Sequence, residues 1–200
     1  MGMNKLLNYL NLLTSLVLLV FLYTQVLDIW DKGPKEYPGH VHKIIYLDRN
    51  FDDIEQEHII MAALQWSAAT NHIVEYDVVQ LPSREKIDVT RALFFVKVSA
   101  DYPDVVIMDN IKKTTTLGYF YDRGPLPYIT LIQDRLNEDN YEPVVLHELG
   151  HSLGLEHVEG PEGWNTLMYP YVDLGSDHIT AKDLEQFCKL YKCDPKELQH

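Results

Sequence analysis

Apolar residues are distributed along this chain in three ways. From Leu6 to Trp30 they are almost continuous (LLNYLNLLTSLVLLVFLYTQVLDIW), and the uncharged run from Leu6 to Leu27 is long enough to cross a bilayer, which takes about 20 residues of helix. Asp31 to His40, DKGPKEYPGH, is too rich in Gly and Pro to hold a helix and reads as a short stalk. Beyond it the pattern becomes that of a folded domain. Val41 to Leu47 has strand composition, and Asp52 or Asp53 is placed to cap a helix over Ile54 to Ala69, with Ile54, Met61, Leu64 and Ala68 along its core-facing side. His58 and Trp66 on that helix read as packing or surface residues. Enrichment in Val, Ile and Phe between polar or Pro-containing breaks predicts strands over His72–Val79, Ala92–Val98 and Val105–Asp109. A further pair, Leu117–Tyr121 and Tyr128–Gln133, flanks the turn-rich DRGPLP. Pro143 suits the first turn of a helix carrying VVLHELGHSLG, and Gly154 suits its end. Thr180 and Asp183 form a capping-box start for a last helix, Ala181 to Tyr191.

Composition narrows the class. A chain of 200 residues, 46% hydrophobic and 24% charged, fits one domain at 41–200 plus an appendage, since domains commonly run about 100–150 residues. The net charge of −13 without clustered Lys and Arg excludes a nucleic-acid partner, whose phosphates require such clusters. Acidity of this size mostly serves solubility. Only Cys188 and Cys193 occur; a small staple and two unpaired thiols both remain open, and an oxidising compartment favours the staple. No alanine or glycine lies between Asn4 and Asp31, so residues 1–30 lack the small-residue end of a cleavable signal. They are therefore expected to be an uncleaved anchor, with a secreted form after cleavage as the alternative. Lys5 before the span and Asp28 and Asp31 after it point to a cytoplasmic N terminus and an external domain.

The chemistry sits in HELGHSLGLEH. His147 and His151 are one helical turn apart, so both rings leave the same face and can grip one ion. A continued helix would lift His157 about 9 Å further and turn it away, so the helix must end between them, and Gly154 is placed to end it. Three neutral imidazoles leave a fourth tetrahedral position open, the arrangement of a catalytic rather than a structural zinc. Glu148, next to the first ligand, can reach a zinc-bound water without joining the coordination shell, take its proton and pass it to the leaving amine.

HELGHSLGLEH from His147 to His157, with TLMYP from Thr166 to Pro170, resembles the metzincin signature, and its wording is most similar to the matrixins. Met168 matches the methionine of the Met-turn. AALQWSAATNHIVEYDVV and ITAKDLEQFCKLY resemble the first helix with its following strand and the closing helix of that family. The resemblance implies an α+β, zincin-like fold: a twisted mixed sheet of about five strands, mostly parallel, with the active-site helix beneath it and a C-terminal helix. It also implies that Leu117, Gly118, Tyr119, Phe120 and Tyr121 form an antiparallel edge strand that takes an extended peptide by strand addition, and that Tyr169 to Asp177, including Pro170 and Tyr171, wall the pocket beside the scissile bond.

Departures refine this. Ala100 to Asn140 contains no histidine, so a structural zinc is not expected and one catalytic zinc is. No cysteine precedes Cys188, so a cysteine-switch propeptide is not expected. Pro170 stands where astacin-like relatives carry a metal-linked tyrosine, and Tyr169 and Tyr171 read as packing residues. His40, His42, His178 and His200 fall in no ligand spacing. Nothing in the pattern speaks to calcium or to an oligomeric state. The expectation is a membrane-held zinc endopeptidase acting on extended polypeptides outside the cytoplasm. Its rival is a catalytically silent, zinc-stabilised peptide-binding module, against which Glu148 argues.

Overall fold

The computed structural model describes residues 39–81, 87–112, 115–171 and 175–198. The expected anchor at 1–30 and most of the stalk lie outside them. Among the described residues no helix is long and apolar enough to cross a membrane.

The elements follow in the order β1 (Val41–Leu47), α1 (Asp53–Ala69), β2 (Val74–Gln80), β3 (Ala92–Val98), α2 (Pro103–Lys112), β4 (Gly118–Tyr121), β5 (Tyr128–Ile132), α3 (Tyr141–Ser152) and α4 (Ala181–Tyr191). One sheet of five strands has the order β2-β1-β3-β5-β4. Four strands are parallel and β4 alone runs antiparallel, pairing Gly118 with Leu131 and Tyr121 with Tyr128 at the edge. Side chains alternate across each strand. Ile45, Leu47, Leu93, Phe95, Ile129 and Leu131 thus join one core with Trp66 of α1, Leu146 and Leu149 of α3 and Phe187 of α4.

Local signals explain the helix ends. Asp52 accepts from Glu55 N–H at 2.9 Å while Glu55 accepts from Asp52 N–H at 2.8 Å, a reciprocal capping box that fixes the start of α1. Thr180 and Asp183 make the same arrangement at the start of α4. Cys188 within α4 and Cys193 just past its end form a disulfide, which resolves the open choice in favour of the staple.

Two expectations are corrected. Val105–Asp109 is not a strand but the middle of α2. A short run such as VVIM does not distinguish strand from helix by periodicity, and here Pro103 in the first turn and Lys112 in the last match the helix polarity. The burial of α1 is also reversed. Ile54, Met61 and Leu64 are 65%, 45% and 56% exposed and Ala68 is exposed, whereas Ile59, Ala62, Ala63, Trp66 and Ser67 are buried. Apolar residues surround this helix almost evenly. Close packing selects the face whose Ala62, Ala63 and Ser67 let α1 approach α3, where Trp66 Nε1 donates to Leu146 O at 2.9 Å.

Candidate active site

The three histidines are brought together by the way α3 ends. Gly154 has φ +92°, a conformation without a side-chain penalty only for glycine. Its N–H donates to His151 O at 2.9 Å and Leu155 N–H to Gly150 O at 3.1 Å, the two bonds of a Schellman reversal. The returning chain is pinned on both sides of His157. Gln186 of α4 holds Glu156 through N–H and C=O at 2.6 and 3.1 Å, and Val158 N–H donates to Met168 O at 2.9 Å.

His157 Nε2 lies 3.1 Å from His147 Nε2 and 3.0 Å from His151 Nε2. All three donor atoms fall within 4.8 Å of one another, and among the described residues they are the one such group of three or more. Nitrogens around a single tetrahedral ion at about 2.0–2.1 Å stand roughly 3.3 Å apart, so the spacing fits zinc. Protonation fits as well. His147 Nδ1 lies 2.7 Å from Leu167 O, and His151 Nδ1 lies 2.8 Å from Leu155 O. A carbonyl only accepts, so each Nδ1 carries the hydrogen and each Nε2 offers its lone pair. Burial, with repulsion from His151, pushes the His147 pKa down to about 3 and that of His157 down to about 4, and burial lowers His151 too. The rings are therefore neutral at pH 7, as a metal requires.

Glu148 is 5% exposed, and its Oε2 is buried without a hydrogen-bond partner. Burial pushes its pKa up to about 8, against the pull of the Lys112 charge and the Phe120 backbone. An orphaned buried carboxylate oxygen is costly and marks a group kept for a ligand or a proton. The edge strand shapes its surroundings: a Cβ on Gly118 would lie 3.2 Å from Glu148 Cγ and 3.0 Å from Val144 Cγ1.

Met168 is fully buried against Gly150 of α3. A Cβ on Gly150 would lie 2.5 Å from Met168 Sδ and 3.2 Å from Trp66 Cζ2, so α3 needs a glycine there. The turn carrying Met168 hangs on Asp183, which accepts from Leu167 N–H at 3.0 Å, Met168 N–H at 3.1 Å and Thr180 N–H at 2.8 Å. Sequence reasoning had Asp183 only as a helix cap and passed over Gly150 and Gln186. Their roles depend on segments that meet only in the fold. Tyr169 is buried with its hydroxyl 3.1 Å from Trp164 Nε1, and Tyr171 is exposed and set edge-on to it at 5.7 Å. Residues 172–174 of the expected pocket wall lie outside the described residues.

The family model described as Matrixin matches residues 48–192. The chain belongs to the matrixin family. That family is one of zinc metalloendopeptidases, and the three-histidine cluster is a group able to hold such a metal. Macrophage metalloelastase of Oryctolagus cuniculus is 42% identical over 48 residues, which make up 24% of this chain and 10% of that relative. This matrixin therefore spans a small part of that relative's length. Among solved structures it is similar to archaemetzincin from Methanopyrus kandleri, at 14% identity and TM-score 0.48, covering 78% of this chain and 97% of that one. It is also similar to the hatching enzyme zinc-protease HCE-1 of Oryzias latipes, at 14% identity and TM-score 0.46, covering 78% of this chain and 92% of that one.

Proposed function

We propose that this matrixin hydrolyses peptide bonds of extended polypeptides, with His147, His151 and His157 holding one catalytic zinc and Glu148 acting as general base and then general acid. The carrying observation is the pairing of three converging Nε2 lone pairs with a buried carboxylate that has an unsatisfied oxygen. Zinc, when bound, supplies a Lewis acid that polarises the scissile carbonyl and acidifies water. Glu148 Oε2 takes the proton of the attacking water and delivers it to the leaving amine. The carbonyls of Leu167 and Leu155 keep the His147 and His151 rings oriented.

The substrate lies along β4, whose outer edge has no strand partner among the described residues, so it adds as a further strand beside Glu148. Tyr169, Pro170 and Tyr171 border the pocket next to the scissile bond. The run from Leu6 to Leu27 holds the domain on the external face of a membrane, as its lack of charge and the flanking Lys5 and Asp28 suggest.

The test is cleavage of a denatured, labelled protein by the purified chain before and after chelation. Activity that disappears with chelator and returns with stoichiometric zinc supports the reading. Cleavage indifferent to chelator would overturn it. An intact substrate despite bound zinc would favour the silent binding module.

A further inference from the structure

The three histidines are not held alike. His147 and His151 each turn Nδ1 to a backbone carbonyl, Leu167 O at 2.7 Å and Leu155 O at 2.8 Å. A metal-ligating histidine generally donates its second ring N–H to such a fixed acceptor, which sets its tautomer and orientation. His157 has none: among the described residues its ring is engaged only through Nε2, by the other two histidines. It is also exposed, whereas His147 and His151 are half-buried, so little packing fixes it.

Its main chain is fixed instead. Gln186 Oε1 accepts from Glu156 N–H at 2.6 Å, and Gln186 Nε2 donates to Glu156 O at 3.1 Å. One carboxamide thus accepts and donates across both backbone groups of a single residue, as a paired strand does. Glu156 directly precedes His157, and on the other side Val158 N–H donates to Met168 O. Helix α4 is itself firmly seated, with Asp183 and Phe187 fully buried on either side of Gln186. The carboxamide therefore carries the position of the core out to the third ligand.

We propose that Gln186 is a positioning residue for the third zinc ligand: by clamping Glu156 it stands in for the ring partner that His157 lacks, and the hold on zinc depends on it. The proposal rests on the reading of the three histidines as a zinc site and goes beyond it, because the Gln186 side chain reaches the site only through Glu156. Without the clamp, the backbone at Glu156 must be ordered when the metal binds, and ordering one residue is equivalent to roughly a tenfold change in affinity.

The experiment measures the zinc affinity of the full chain by competition with a chromogenic chelator. The parent is set beside Gln186→Leu, His157→Ala, the double variant and, as a control on the same helix, Glu185→Ala. Leucine keeps the bulk of the side chain and removes both its donor and its acceptor; Gln186→Met, a good helix former, repeats the test should leucine disturb α4. Gln186→Leu should weaken zinc binding by about tenfold, and Glu185→Ala should leave it unchanged. In the His157→Ala background the same substitution should have almost no effect, because the ligand it positions is gone. Unchanged affinity in both Gln186 variants would overturn the proposal. So would an equal loss with and without His157, which would make Gln186 part of the general scaffold. A parent that binds no zinc would remove the zinc reading and this proposal with it. A parent that binds zinc and cuts no peptide would remove the peptidase reading alone, since the affinities decide this proposal by themselves.

Discussion

Glu148 and the histidines beside it oppose each other in how they bear on stability. Burial raises the folded pKa of Glu148 to about 8 from an ordinary 4.5. The stability contributed by its protonated form is thus fully present below about pH 4.5 and is lost as pH rises through about 8. The histidine shifts run the other way. With His147 and His157 lowered to about 3 and about 4 from 6.5, their contribution is present above about pH 6.5 and is lost as pH falls towards those values. Two expectations follow for metal-free protein. Its thermal midpoint should drop on acidification from pH 6.5 to 4. Glu148→Gln, which keeps the shape and removes the charge, should be more stable than the parent at pH 7 by roughly 1–3 kcal/mol in denaturant titration. A Gln variant no more stable than the parent would show that the carboxylate is not strained by its burial. The clustering of His147, His151 and His157 was legible in the sequence because its geometry is local: one helical turn and one glycine stop. Gly150 was not, because its reason for being glycine is Met168, which arrives from a distant turn.

At the scale of elements, the site is a helix end held between a methionine turn and α4. Gly150→Ala would set a methyl against Met168 Sδ, where a Cβ comes within 2.5 Å, and should cost about 1–3 kcal/mol while weakening zinc retention under dilute chelator. Unchanged stability and retention would show that Met168 moves aside freely. Asp183 is fully buried and holds the methionine turn by two backbone N–H groups. Asp183→Ala should lower stability by about 3 kcal/mol and increase zinc loss, both measurable on one preparation by thermal melting and metal analysis. β1 and β3 could be read from β-branched and aromatic composition, and α4 from its capping box. The strand expected at Val105–Asp109 failed because four apolar residues in a row suit either structure, and the deciding contacts, Asp109 with Thr116 and Arg135, are tertiary. The face of α1 failed for a related reason: small residues, weak in any hydrophobic pattern, govern how closely two helices pack.

Across the whole molecule, an acidic domain follows a long uncharged N-terminal run. The full chain should sediment with membranes after alkaline extraction, and a chain starting at Gly39 should remain in the supernatant; a full chain that stays soluble would remove the anchor from the account. The central claim, that three histidines hold zinc while Glu148 moves the proton, is tested most directly by measuring zinc per chain and peptide turnover side by side for the parent and Glu148→Gln. The account predicts one zinc in each and a loss of turnover of at least about a thousandfold in the variant. Turnover within a few fold of the parent at equal zinc content would contradict it.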